Sequence, residues 1–343
     1  MTVSPLDFPI ADAPAEAEVR EVSPGVLWLR QPLPFALDHI NLWLLRGQQG
    51  WTVVDTGIGS SRSRAMWETV FERHLGGLPV ERVLVTHFHP DHMGLADWMV
   101  RRWGVALWMT QGEWLLARLL NQDQSPELAA AFAGFYRRSG LTGERLDSML
   151  DRGNAFPRGV PAVPATYRRI RHGERLRLGD QDWTVIGGGG HSPEHAALHC
   201  PALGLLISGD QVLPRISPNV SVWPSEPEAD PLADFLAGLD RLRGLATDTL
   251  VLPSHGAPFR GLETRLEALA SHHRERLEET LDHCRERPLS GAELMDRLFR
   301  RPLDTHQTSF AIGEALAHAH HMVAKGGLTV EDGADGVRRF WTA

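Results

Sequence analysis

The sequence predicts an α+β protein in which two mixed sheets carry helices on their outer faces and a small helical module follows. Three observations predict it. Strand-like and helix-like runs alternate in two batches as far as about residue 260. Apolar, β-branched runs such as Arg82-Val83-Leu84-Val85-Thr86 read as buried strands. Beyond Arg260 the texture changes to leucines at helical spacing in a charged background.

Taken in order, an acidic, proline-spaced arm comes first, with Asp7, Asp12, Glu16 and Glu18 and no Lys or Arg in the first eighteen residues. Strands are expected over Gly25 to Arg30, Ile40 to Leu45 and Trp51 to Val54, with a hairpin turn at Gly47 to Gly50. Ser60 to Leu75 has helical spacing, Val83 to Thr86 is the next strand, and Leu95 to Trp103 is the helix behind it. Helices are expected at Glu113 to Leu120, Pro126 to Arg138 and Glu144 to Leu150, before a proline-rich connection at Pro157, Pro161 and Pro164. Strands return at Arg175 to Leu178, Trp183 to Ile186, Ala197 to Cys200 and Leu205 to Ser208. A helix over Pro231 to Leu242 and a strand over Thr249 to Leu252 end this portion.

In the remainder, Leu262, Leu266, Leu269, Leu277 and Leu281 mark one helix. Ser290 and Glu293 fit a capping box that opens Ala292 to Arg300. A third helix covers Ser309 to Ala324, and Leu328 to Val330 with Val337 to Phe340 form a hairpin. Three helices and a hairpin make a winged-helix-like module.

With 343 residues, 42% hydrophobic and 23% charged, the chain is long enough for one large core plus an appendage. A net charge of −8 argues against a general binder of nucleic acid or anionic membranes. Two distant cysteines, Cys200 and Cys284, give no disulfide framework, and neither a signal peptide nor a membrane-length apolar run is legible, so a cytoplasmic protein is expected.

The chemistry is concentrated in His87-Phe88-His89-Pro90-Asp91-His92, where a strand ends and a loop begins. Solvated loop histidines are the bland alternative. Against it, further ligand-type residues stand at similar strand ends: His191 after Val185-Ile186 and four glycines, Asp210 after Leu205 to Gly209, and His255 after Val251 to Ser254. All seven are nitrogen or oxygen donors, a set suited to Zn²⁺, Fe or Mn rather than to the all-oxygen shells of Mg²⁺ or Ca²⁺.

His87-x-His89-x-Asp91-His92 followed by His191, Asp210 and His255 resembles the metallo-β-lactamase superfamily, and within it the glyoxalase-II-like branch, whose bridging residue is an aspartate. The resemblance covers about residues 20–260. It implies an αββα sandwich with two divalent metal ions between the sheets, Zn²⁺ first and Fe or Mn as alternatives. By position His87, His89 and His191 would hold one ion, Asp91, His92 and His255 the other, and Asp210 would bridge. Asp55 matches the aspartate that orients the histidine loop. The catalytic unit is expected over 1–262, with a helical cap insertion at about 111–166, and the winged-helix-like module over 263–343. One departure is Gly190-His191-Ser192-Pro193-Glu194-His195, where the family commonly has Gly-His-Thr-Pro-Gly-His.

The implied chemistry is hydrolysis of a small or medium ester, thioester or lactone by a metal-activated hydroxide, with Asp91 and Asp210 as the catalytic carboxylates. Alternatives are a ribonuclease or phosphodiesterase of the same fold, a mononuclear iron dioxygenase of the persulfide type, and a metal-dependent interaction protein. The expected partner is a small-molecule substrate. Residues 263–343 carry 14 acids against 11 bases, which favours packing, homodimer formation or pocket closure over nucleic-acid reading, although Arg297, Arg300, Arg301, Arg338 and Arg339 could form a patch. His195 is expected either to support the site or to touch substrate. Asn219, Ser221 and Trp223 are candidates for the pocket wall, Gly187 to Gly190 for a tight turn, and His318, His320 and His321 for a solvated helix face.

Overall fold

The computed structural model describes residues 6–342; Met1 to Pro5, with the first proline of the acidic arm, lie outside the described residues. A seven-stranded sheet runs in chain order through β1 (Val19–Ser23), β2 (Val26–Pro32), β3 (His39–Arg46), β4 (Trp51–Val54), β5 (Val80–Leu84), β6 (Leu107–Met109) and β7 (Tyr167–Arg169). Its first half is antiparallel and β4 through β7 are parallel, so it is mixed, as the sequence predicts.

Helices α1 (Ser61–Arg73), α2 (Pro90–Met93) and α3 (Ala96–Trp103) connect the parallel strands. Helices α4 (Gln111–Gln122), α5 (Pro126–Arg138), α6 (Gly143–Arg152) and α7 (Phe156–Gly159) fill the long connection from β6 to β7. The second sheet orders β8 (Arg175–Leu178), β9 (Gln181–Gly187), β10 (Ala196–Cys200), β11 (Leu205–Gly209) and β12 (Leu250–Pro253) as β12-β11-β10-β9-β8, with α8 (Pro231–Asp240) crossing between the parallel pair β11 and β12.

Burial explains the layering. Strand β3 has apolar residues on both faces, and only its two ends are not buried. Trp28, Trp43, Leu84, Trp183, Val185 and Ile207 form the core between the sheets. Leu42, Val53, Trp67, Phe71, Val83 and Met99 form a second core against the outer helices α1 and α3. Phe235, Leu239, Val251 and Leu266 form a third on the far side of the second sheet. Helix, sheet, sheet and helix therefore stack in four layers, each apolar face covered by its neighbour.

The chain ends with α9 (Leu262–Glu286), β13 (Leu289–Ser290), α10 (Gly291–Leu298), α11 (Thr305–Ala324), β14 (Thr329–Asp332) and β15 (Arg338–Trp341), whose strands pair as β13-β15-β14. The Ser290–Glu293 capping box opens α10, and a second box, Asp304 with Gln307, starts α11 four residues before the helix expected from periodicity. The core of this module also takes in Phe135, Tyr136, Leu141 and Met149. Helices α5 and α6 thus pack on the C-terminal module.

Two expectations need correction. His318 and His321 are buried and His320 is half-buried, because α11 is enclosed on most sides and its alanines let neighbouring helices approach closely. Their Nδ1 atoms reach Glu314 O, Ala229 O and the Asp230 carboxylate instead of solvent. Short strands β1, β6, β7 and β13 are absent from the sequence reading, since two to five residues carry too little periodicity to register. Among the described residues no helix is long and apolar enough to cross a membrane.

Candidate metal centre

Five strand ends build the site. Strands β4, β5, β9, β11 and β12 deliver Asp55, the stretch from Thr86 to His92, His191, Asp210 and His255 to one edge of the sandwich. Ligand-type atoms gather there in two groups, His87, His89, His191 and Asp210 in one and Asp91, His92 and His255 in the other, each with its atoms within 4.8 Å of one another. All seven sequence-predicted candidates are therefore brought together. The Asp210 carboxylate straddles the groups: Oδ2 lies 3.4 Å from His191 Nε2, while Oδ1 lies 3.5 Å from His92 Nε2 and 3.4 Å from His255 Nε2. Asp91 Oδ2 is 3.5 Å from His255 Nε2 and 3.7 Å from His92 Nε2.

The outer hydrogen bonds fix which imidazole nitrogen faces inward. His92 Nδ1–H donates to Asp55 Oδ2 at 2.8 Å, His191 Nδ1–H to Asn219 O at 2.8 Å and His255 Nδ1–H to His39 O at 2.7 Å. Thr86 Oγ1 lies 2.9 Å from Asp55 Oδ2, to which it donates, and so accepts from His87 Nδ1 at 3.1 Å. Four histidines therefore turn a bare Nε2 lone pair toward the centre.

Those lone pairs test whether a cation fits. His87 Nε2 and His191 Nε2 face each other at 3.2 Å, and His89 Nδ1 is 2.9 Å from His87 Nε2. Buried and without any hydrogen-bond partner are His92 Nε2, His255 Nε2 and Asp210 Oδ1. Lone pairs packed together at such distances repel unless positive charge lies among them. The donor set suits a divalent cation.

Electrostatics divide the histidines into two kinds. Burial and the surrounding imidazoles push His87 and His89 well below the ordinary histidine range, so both remain neutral ligand-type bases. Burial also opposes charge on His92 and His255, but Asp210 with Asp55 and Asp91 outweighs it at His92, and Asp210 with Asp91 at His255, so both rise. For Asp210, burial is likewise outweighed by His255 and His92, which hold the carboxyl well below its usual range.

The profile of the Metallo-beta-lactamase superfamily matches residues 36–255, and that of the Metallo-beta-lactamase-like, C-terminal domain matches residues 277–343. The chain belongs to the metallo-β-lactamase superfamily. Within this superfamily it is 27% identical over 285 residues to the probable metallo-hydrolase YqjP of Bacillus subtilis (strain 168), across 80% of this chain and 85% of the relative. It is 26% identical over 270 residues to the acyl-coenzyme A thioesterase MBLAC2 of Homo sapiens, across 74% and 85%. A crystal structure of a beta-lactamase domain protein from Burkholderia ambifaria superposes with a TM-score of 0.91 at 52% identity over 98% of both chains. The chain is thus a metallo-hydrolase of the superfamily fold, with a His/Asp cluster of the kind that holds divalent metal.

Asp55 sits at φ +62°, in the left-handed region, and accepts from Thr86 N–H at 2.8 Å as well as from His92. His195 is fully buried, and its Nε2 accepts the Asp210 backbone N–H at 3.2 Å. The preceding Gly209 has φ +53°, and a Cβ there would stand 2.3 Å from His195 Nε2, so only glycine lets the strand end turn against that ring. Ser221 and Trp223 line a cavity that also takes in Gly190 and Ser192 on either side of His191, whereas Asn219 contributes its carbonyl to His191.

Sequence reasoning missed Glu113 and His39. Glu113 is fully buried and accepts from Phe88 N–H at 2.9 Å and Glu194 N–H at 2.7 Å, tying the two histidine loops together; burial lifts its carboxyl to about 7. The available signal was an acid in the first turn of an apolar stretch, Gly112-Glu113-Trp114-Leu115-Leu116, which resembles an ordinary helix start. Glu194, the departure from the family motif, accepts from Gly112 N–H at 2.7 Å and so fastens α4 to the site. His39 holds the His255 loop from two sides, by its carbonyl and by accepting Gly256 N–H at 2.8 Å on Nε2.

Proposed function

We propose that the protein is a dinuclear, zinc-type hydrolase of small or medium esters, thioesters or lactones. The reading is carried by the Asp210 carboxylate, whose two oxygens face different ligand groups. His87, His89 and His191 would hold one ion, Asp91, His92 and His255 the other, and Asp210 both. The chemistry such a site would supply is Lewis acidity, toward the electrophile's oxygen and toward a water whose pKa would approach neutrality. Asp91, at 18% side-chain exposure the most open carboxylate of the set, would face the solvent side and relay a proton there. Asp55, Thr86 and His195 keep the ligands in register.

Support for an acyl substrate comes from the cavity of about 350 Å³ beside His191, walled by Leu115, Leu116, Leu119, Pro193 and Trp223. An apolar acyl group suits that wall, and one relative bears the name of an acyl-coenzyme A thioesterase. The same reading takes residues 1–262 as the catalytic unit with its insertion at 111–166, and 263–343 as a winged-helix-like module.

Metal analysis of native protein, then a panel of acyl thioesters, lactones, phosphodiesters and RNA, tests the proposal. Two zinc-type ions per chain and turnover of an ester or thioester are expected. Asp210→Ala and His89→Ala should lose both metal and activity. Full activity of Asp210→Ala with undiminished metal would overturn the assignment, and one iron per chain would point to oxidation instead.

A further inference from the structure

We infer that the C-terminal module positions a ligand of the metal centre, through contact of α11 with the segment Asn219 to Val222. The inference rests on the reading of His191 as a ligand. It assigns the module a part in metal retention that neither its composition nor its charge suggests.

The contacts form an unbroken series. His191 Nδ1–H donates to Asn219 O at 2.8 Å, so that carbonyl sets the ring's tautomer and tilt. Asn219 is held from the C-terminal side, since its Nδ2 donates to Glu314 Oε2 at 3.4 Å and its Oδ1 lies 2.6 Å from Ser221 Oγ. Ser221 Oγ is also within 3.1 Å of Phe310 O, and Val222 N–H donates to Gly313 O at 3.0 Å. Phe310, Gly313 and Glu314 all belong to α11.

Packing makes the seating tight. A Cβ on Gly313 would stand 2.7 Å from Ser221 Cβ and 2.8 Å from Val222 O, so the segment lies directly on the helix backbone. Two apolar side chains of the segment enter different cores: Val220 enters the one under the second sheet and Val222 that of the C-terminal module. A segment anchored in two cores and hydrogen-bonded to α11 has little freedom to shift the carbonyl that it offers to His191.

A plain domain interface would share these contacts but would act only on stability. Three variants separate the two roles. Asn219→Ala keeps the backbone carbonyl and removes its tethers. Gly313→Ala pushes the segment off α11. Leu328→Ala, in the same module core but beyond the end of α11, removes packing while leaving the hydrogen bonds from α11 to the segment in place.

Apoprotein of each is titrated with Zn²⁺ against a chromophoric chelator, with folding followed by circular dichroism. Asn219→Ala and Gly313→Ala should bind one of the two ions about 10–100-fold more weakly and the other as wild type does, while Leu328→Ala retains both affinities. Wild-type affinity for both ions in the first two variants would overturn the inference, as would equal weakening in Leu328→Ala. In a parallel His191→Ala control, loss of one ion confirms the premise; undiminished binding would instead remove the ligand reading itself.

Discussion

Asp55 Oδ2 lies 2.8 Å from His92 Nδ1, and the other oxygen of the same carboxylate accepts the Thr86 backbone N–H at 2.8 Å. One buried side chain thus fixes both the ring of a ligand-type histidine and the strand end that launches the histidine loop. Its backbone is left-handed, a conformation that Asn and Asp adopt more readily than other non-glycine residues. Asp55→Asn therefore removes charge and an acceptor without adding backbone strain. We expect metal affinity to fall by about 10–100-fold with the fold retained. Chelator competition checks this, and an unchanged dissociation constant would sink the role.

Glu113 joins the loop after β5 to the loop after β9 by accepting one backbone N–H on each oxygen. In Glu113→Gln one of those N–H groups would face an amide NH₂, a donor against a donor in a fully buried place. The expected cost is about 1–3 kcal/mol, seen as a lower melting temperature of the apoprotein. A wild-type melt would mean that the two loops hold their positions without this carboxylate.

The candidate ligand set was legible because its members follow closely on apolar runs, Asp210 directly, His255 after Ser254 and the others within the loop that the strand launches, and strand ends are readable from such runs. Apart from Asp55, the partners of these residues were not. Asn219 and His39 reach the His191 and His255 rings through backbone carbonyls, which any residue type could supply, so sequence carries no mark of that role. The insertion was legible as helices, but their destination was not. Phe135, Tyr136 and Met149 read as an ordinary apolar stripe, and only tertiary contact decides that it packs on the C-terminal core. His318 shows the converse failure, since a polar residue in an alanine-rich helix looks solvated until neighbouring helices close over it.

Buried histidines in that module predict an acid-sensitive stability. His273 Nδ1 lies 3.2 Å from His318 Nε2, and burial, then His318, His272 and Arg276, lower His273 to about 3. An unfolded chain takes up that proton near pH 6.5, whereas the folded one does not until about pH 3. Between those values the unfolded state binds more protons, so stability falls as pH falls, by up to about 1.4 kcal/mol per pH unit. His273→Leu should flatten the acid limb of a stability-against-pH curve by that slope. An acid limb identical to wild type's would show that this group does not titrate on unfolding.

The arginines that could have formed a nucleic-acid patch are largely spoken for. Arg297 pairs with Glu286 at 2.6 Å, Arg338 with Glu228 at 2.6 Å and with Asp332, and Arg339 with Asp335 at 2.6 Å. A phosphate backbone would have to displace carboxylates already in place, and it would meet a module that carries more acids than bases. We therefore expect no retention of single-stranded RNA at physiological salt. Fluorescence anisotropy at about 50 mM and 200 mM salt, a range over which phosphate-driven binding changes by orders of magnitude, checks this. Micromolar binding that weakens steeply between the two would favour the phosphodiesterase reading over the ester one. Arg300→Ala with Arg301→Ala, which removes the two remaining arginines of the group, would then show whether the tail carries it.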